Sequence, residues 1–266
     1  MLEYLALPLA GLSIGFLVSV MGGGGGAIYV GVLTVLFNVT PAIAVSSSLA
    51  TMIPTTAIAS LSHWRAKNLK LKLGLCMMGA GMLGTVFGSL ASGLLPERLY
   101  GKLAGAVLVF FSLQLLIPML KKRMMMKDQP QGLAATQSAP HEGKAISRIA
   151  KAILYGLCGG FLSGLVGISG TAPIIVGLTA LGCEPLAVAG TSVFVLFGIS
   201  VVGFLMHMSL GNVSWKLVGL LVAGTATGAL AGPLLLKRAN KKTLSKIMQP
   251  LFFLMIFGMG IAQCIK

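Results

Sequence analysis

Acidic residues are almost absent from this chain of 266 residues. Glu3, Glu97, Asp128, Glu142 and Glu184 are its only carboxylate side chains, and charged residues of both signs make up 9% of the sequence. Soluble domains carry about 25% charged residues. With 56% hydrophobic residues and a mean hydropathy of +0.95, the chain is read as an integral membrane protein. None of the five acids lies at the centre of an apolar segment, which disfavours a carboxylate proton relay or an acidic cation site within the bilayer. Cysteine is scarce too. Cys76, Cys158, Cys183 and Cys264 stand singly, with no CxxC spacing, so neither a metal centre nor a disulfide framework is expected, and no cofactor is called for. Alternating strands are missing as well. The apolar segments are continuous runs, which excludes a transmembrane β-barrel. A basic n-region is also lacking before the first segment, which begins Met1-Leu2-Glu3. That segment is therefore read as retained rather than cleaved.

What the chain has is net charge, +15. In a soluble protein this would point to nucleic acid. Here nearly every Lys and Arg lies between apolar runs, so the charge reads as a topology signal and no nucleic-acid role is assigned. The apolar runs cover roughly 4–21, 27–37, 41–62, 71–94, 99–120, 149–167, 172–182, 185–206, 214–236 and 244–265. Between the halves, 121–148 is polar and carries Pro130, Gly132, Pro140 and Gly143, the composition of a connecting loop. Its Met124-Met125-Met126 run amid lysines is read as an interfacial segment beside the membrane rather than a copper site. The chain divides into a membrane repeat over 1–120, a cytoplasmic connection over 121–148 and a second membrane repeat over 149–266.

The division rests on an internal duplication. A hydrophobic segment broken by glycine occurs twice, first as Gly15 to Met21 followed by Gly22–Gly26, then as Gly160 through Pro173. Beyond the break the halves keep a fixed offset of 144. Pro41 meets Pro185, Ser48 meets Ser192, His63 meets His207, Asn68 meets Asn212, Gly84 meets Gly228 and Lys102 meets Lys246.

Basic residues then set the orientation. Loop 63–72 holds Arg65, Lys67, Lys70 and Lys72, the central connection with its borders holds seven more, and 237–246 holds five, so 16 of the 20 Lys and Arg fall in three regions. Positive loops stay cytoplasmic. Both termini are thereby predicted outside and the central loop inside, in the cell (inner) membrane. The basic loop 63–72 corresponds in the duplication to the charge-poor 207–216, so the repeats are predicted to be inverted in topology. Each half must then cross an odd number of times. Three segments per half cross once, and the glycine-broken pair forms a hairpin, either re-entrant or two short spans. Unbroken, residues 4–37 would make a helix of about 50 Å at ~1.5 Å per residue, far longer than a hydrocarbon core of about 30 Å. The predicted fold is all-α and polytopic: two inverted-topology repeats, each a glycine-broken helical hairpin plus three transmembrane helices.

Candidate binding residues follow from the breaks. A helix restarting after Gly22, Gly23, Gly24, Gly25 and Gly26, and another after Gly167, Ser169, Gly170 and Thr171, offer unpaired N–H groups and positive dipole ends. Such ends bind anions, and irregular backbone at lipid depth survives only in protein or in a cavity. The bland counterpart is that the glycines only permit a tight turn. After each hairpin comes a hydroxyl cluster, Ser46-Ser47-Ser48 and Thr191-Ser192. These side chains either donate to an oxyanion without charging the site or bond back to their own helix; both readings stand. Thr51, Thr55 and Thr56 are weaker candidates on the same helix, where Pro54 is expected to introduce a kink. His63 and His207 are candidate proton or anion contacts, set against the reading of interface residues at helix ends. Glycines at four-residue spacing, such as Gly84/Gly88 and Gly224/Gly228, mark close helix packing.

At these residues the chain resembles the sulfite exporter TauE/SafE family, also called the 4-toluene sulfonate uptake permeases. The shared pattern is a glycine-rich break, a proline, then an A-x-x-(A/G)-(T/S)-S element in both halves. Here it reads as Gly22–Gly26 with Ala44–Ser48, and as Gly164–Pro173 with Ala187–Ser192. The first break carries Ile28 and Tyr29 where the family has a proline, and the second has Ile168-Ser169-Gly170-Thr171 in place of a fuller glycine run. The resemblance implies secondary transport of a small anion such as sulfite, a sulfonate or a related organosulfur compound, with no enzymatic activity. The expected partners are that anion, a coupling proton or other ion, and the lipid bilayer; a homo-oligomer is compatible. Two other functions use the same inventory: a passive anion channel, and an intramembrane enzyme pairing Ser47 or Ser48 with His63, the weaker of the two.

Overall fold

The computed structural model describes residues 2–21, 23, 25–94, 145–167, 170–208 and 213–238, with scattered residues between 96 and 113 and between 254 and 262. Gly22, Gly24, Ser169, Asn212, most of 99–120 and 244–265, and residues 121–144 with their methionine run lie outside the described residues.

Eight helices are described: α1 (Leu2–Met21), α2 (Gly25–Gly31), α3 (Pro41–Arg65), α4 (Leu71–Gly93), α5 (Ala145–Val166), α6 (Thr171–Ala180), α7 (Pro185–Met208) and α8 (Trp215–Arg238). A π-helical turn, Val32–Leu36, extends α2; Thr34 there returns its hydroxyl to the Val30 carbonyl at 2.7 Å. The chain is an all-α polytopic membrane protein. Four of its helices are long and apolar enough to cross a bilayer: Pro41–Arg65, Leu71–Gly93, Ser147–Val166 and Leu186–Met208.

The helix ends follow from local sequence. Pro41 fills the first turn of α3, where a missing N–H costs nothing. At the other end Ala66 N–H donates to Ser62 O, Lys67 adopts φ +57°, and Asn68 N–H donates to His63 O at 3.0 Å. This is a left-handed C-terminal cap. Between its ends α3 is helical without interruption past Pro54.

Burial divides the helices into a centre and a periphery. α3 and α7 are 67% and 61% buried over their apolar windows, against 39% for α4 and α5. Leu83, Phe87 and Leu90 on α4 are 60%, 63% and 57% exposed, an apolar stripe that suits lipid and would be a liability in water.

Glycines fix the pairing. A methyl group on Gly84 would overlap the Leu157 carbonyl and come 2.9 Å from Phe161 N; one on Gly228 would overlap the Leu12 carbonyl and come 2.8 Å from Phe16 N. These contacts are equivalent under the duplication. Each places the first arm of one half's hairpin, α5 or α1, alongside the second long helix of the other half, α4 or α8. In lipid such pairs are held by dispersion between closely approached backbones rather than by the hydrophobic effect. The central pair runs antiparallel. Gly190 of α7 packs on His63 and Asn68 at the end of α3, whereas Gly203 packs on Leu49 near its start.

Candidate functional site

Gly23 adopts φ +148°, a conformation that side-chain-bearing residues rarely reach. A methyl group there would lie 2.5 Å from Thr171 Cγ2, 3.3 Å from Thr171 Oγ1 and 3.1 Å from Leu196 Cδ1. The break in the first half therefore abuts the first residue of α6 and the middle of α7, both in the second half. The reverse contact exists as well. Gly167, at φ +70°, packs against the Val45 side chain, and its carbonyl accepts from Ser48 Oγ at 3.4 Å. Each break thus sits on the other half.

No side chain caps the helix that restarts at this junction. Gly170 precedes α6 with φ +30° and no side-chain cap hydrogen bond. It has no room for a side chain, because a Cβ there would overlap the Gly159 backbone. Thr171, the first residue of α6, is 9% exposed. Gly25 and Gly26 are buried at the start of α2, with Gly25 against Val18 and Tyr29.

The hydroxyl clusters divide. Ser48 also donates to the Val45 carbonyl at 2.9 Å, and Ser192 to the Ala189 carbonyl at 3.0 Å, so back-bonding to the helix occurs in both halves. Ser47 is fully buried and its hydroxyl has no hydrogen-bond partner among the described residues. Thr191, its counterpart, accepts from the Lys70 backbone N–H at 3.0 Å and so ties the α3–α4 loop to α7. The structure brings together Gly23, Ser48, Gly167, Gly170 and Thr171, and places Thr191 with that loop instead.

The histidines lie away from the junction, near opposite ends of the central helix pair. His63 is half-buried in the last turn of α3. His207 is 4% exposed; its Nδ1 lies 2.9 Å from the Gly203 carbonyl and 3.5 Å from Ser89 Oγ, and its Nε2 has no partner among the described residues. The described cysteines are free. Burial pushes the Cys183 thiol up from its ordinary value, opposed by Arg148 and Lys70 nearby, which makes it a poor nucleophile at neutral pH.

Sequence reasoning missed one cluster. Tyr29 is fully buried on α2, beside Thr55 and Thr225, with no partner at hydrogen-bonding geometry for its hydroxyl among the described residues. Thr55 and Thr225 bond each other at 3.1 Å. The signal was present as a departure from pattern: Tyr29 stands where the second half has Pro173.

The family model described as sulfite exporter TauE/SafE matches residues 7–262. The chain belongs to the TauE/SafE family. Among curated proteins, it is 30% identical to the probable membrane transporter protein YdhB of Bacillus subtilis (strain 168), over 87% of this chain and 88% of that one. It is 28% identical to the probable membrane transporter protein YunE of the same organism, over 93% and 94%. A third relative there, YjnA, carries the same description at 28% identity over 91% and 94%. No solved structure matches the chain. This TauE/SafE protein is accordingly a membrane transporter and not an enzyme, and it crosses the membrane several times.

Proposed function

We propose that this TauE/SafE protein is a secondary transporter of a small anion, of the class of sulfite, sulfonates and related organosulfur compounds, working by alternating access around the junction of the two glycine breaks. The observation that carries the proposal is the seating of Gly23 on Thr171. The reading is supported by a helix start without a side-chain cap at Thr171, by Ser48 on the Gly167 carbonyl, and by the neighbouring Ser47, whose buried hydroxyl has no partner among the described residues. Helix starts and hydroxyls favour an anion's charge in low dielectric without a full positive charge. The family description supports the organosulfur class.

Alternating access follows from two halves built as inverted copies. The antiparallel course of α3 and α7, which are equivalent in the duplication, supports that reading. Both termini then face outward from the cell membrane and the central loop faces the cytoplasm, as the basic residues require.

Flux into liposomes tests the proposal. Protein-dependent, saturable uptake with counterflow is expected for sulfite or a sulfonate, and no flux for these, sulfate or simple carboxylates would overturn it. Single-channel currents would point instead to a pore. For the topology, single cysteines replacing Lys70 and Lys242 should both label from the cytoplasmic side; labelling from opposite sides would sink the inverted arrangement.

A further inference from the structure

A groove of about 330 Å³ opens beside the last turns of α3, lined by Ser60, Leu61 and Trp64 of α3, Leu71 at the start of α4, and Phe194 and Phe197 of α7. Its walls are apolar and face the lipid, with Leu61, Trp64 and Leu71 being 45%, 64% and 51% exposed. Arg65, Lys67, Lys70 and Lys72, all exposed, flank the lining residues Trp64, Leu69 and Leu71 along the chain. None of these four side chains has an ion-pair partner among the described residues. Among the described residues, the acid at this end of the helix pair is Glu184, just before α7.

The loop that carries the charges is held in place. Lys67 N–H donates to Trp64 O at 2.9 Å and Asn68 N–H to His63 O at 3.0 Å, while Lys70 N–H donates to Thr191 Oγ1 at 3.0 Å. An exposed Trp in the last turn marks the depth at which a bilayer gives way to headgroups. Basic clusters between helices at that depth attract acidic headgroups.

The other half shows that this is not a by-product of the duplication. At an offset of 144, Ser60 becomes Phe204 and Leu71 becomes Trp215. Those two rings pack edge to face with centroids 5.9 Å apart, so two large side chains stand in contact where the first half has a serine and a leucine. Arg65, Lys67 and Lys70 become Ser209, Gly211 and Ser214, leaving only Lys216 opposite Lys72.

We infer that the groove is a binding site for an anionic phospholipid of the surrounding bilayer, with an acyl chain against Phe194 and Phe197 and the headgroup phosphate among Arg65, Lys67 and Lys70. The inference requires only that the chain reside in a bilayer, not that it carry any particular substrate.

Native mass spectrometry of the full chain, released from nanodiscs of phosphatidylglycerol or phosphatidylcholine, tests it. The unaltered protein should retain phosphatidylglycerol in preference to phosphatidylcholine. The triple variant Arg65→Gln, Lys67→Gln, Lys70→Gln, changed only at exposed side chains, should lose that preference by about fivefold per residue removed. Ser60→Phe, which copies the residue of the other half, should lose bound lipid with the basic residues intact. Equal retention of the two lipids, or undiminished phosphatidylglycerol in the triple variant, would overturn the site. Lost preference in the triple variant with full retention in Ser60→Phe would confine recognition to the surface charges and overturn the groove.

Discussion

The two halves of the molecule use the same backbone contacts and different side-chain chemistry. Gly84 on Leu157 and Phe161 repeats as Gly228 on Leu12 and Phe16. At the next contact along, Gly81 lies against Ile199, but its counterpart Thr225 bonds to Thr55, with Tyr29 alongside. His207 is buried near Ser89, whereas His63 is half-buried and Ser89 has Pro233 as its counterpart. The shared part is the close approach of backbones, where a side chain has no room to vary. The divergent part consists of hydroxyls and rings at positions where the backbone tolerates either polarity.

Four substitution pairs break or sharpen this comparison. The largest effect is expected from Gly84→Leu and Gly228→Leu, each driving a side chain into an opposing carbonyl. Overpacking costs about 1–3 kcal/mol where side chains can yield, and more here because backbone must move. Both variants should lose most monodisperse protein on size exclusion, to a similar degree; tolerance of one alone would show that the halves are not packed alike.

Next come Gly23→Ala and Gly167→Ala. Each puts a Cβ on a residue with positive φ and on the opposite half, at a cost of about 1–2 kcal/mol from conformation alone. Initial transport rates should fall about tenfold or more by displacement of the junction, given ~1.4 kcal/mol per factor of ten, with membrane levels largely kept. Unchanged rates in both would remove the breaks from the mechanism.

Smaller effects are expected at the hydroxyl cluster. Thr55→Val should cost about 1 kcal/mol by removing the bond to Thr225, seen as a lower melting temperature in detergent. Tyr29→Phe should be neutral or slightly stabilising, since its hydroxyl has no partner at bonding geometry among the described residues. A clear loss of stability there would mean that the hydroxyl is engaged after all. Least of all, His207→Gln should lower the melting temperature more than His63→Gln, by the worth of one buried hydrogen bond, about 1 kcal/mol. Equal shifts would show that their different burial carries no energy.

Much of the fold was legible because lipid imposes simple rules. Apolar run lengths gave helix positions within a few residues: the run 41–62 became Pro41–Arg65, and 185–206 became Pro185–Met208. The glycine breaks were readable because five consecutive glycines cannot continue a helix. The exchange of hairpin arms was not readable. Any small-x-x-x-small face fits any other, so Gly84/Gly88 names a packing face without naming its partner. The meeting of the two breaks involves Gly23 and Gly167, both legible in the sequence as glycines because their positive φ disfavours any side chain. Thr191 was less legible, since a hydroxyl in an apolar helix serves a distant loop N–H as readily as a ligand. Tyr29 was passed over because a single aromatic in an apolar run has no periodicity to betray it. The π-helical turn at Val32–Leu36 likewise follows from no residue pattern in the run.

The exchange of arms bears on how the protein is made. Gly11 and Gly15 of α1 rest on Leu221 and Thr225 of α8, about 210 residues later in the chain. At about 5–20 residues per second of synthesis, α1 waits on the order of 10–40 s before its partner exists. Throughout that interval a helix with a glycine face stands in the bilayer with nothing to close against. Lipid covers that face meanwhile, because the backbone of a helix is satisfied within the helix itself. Neither half, expressed alone, would contain the helix that completes its own hairpin, but two halves supplied as separate polypeptides would contain every contact needed to reassemble.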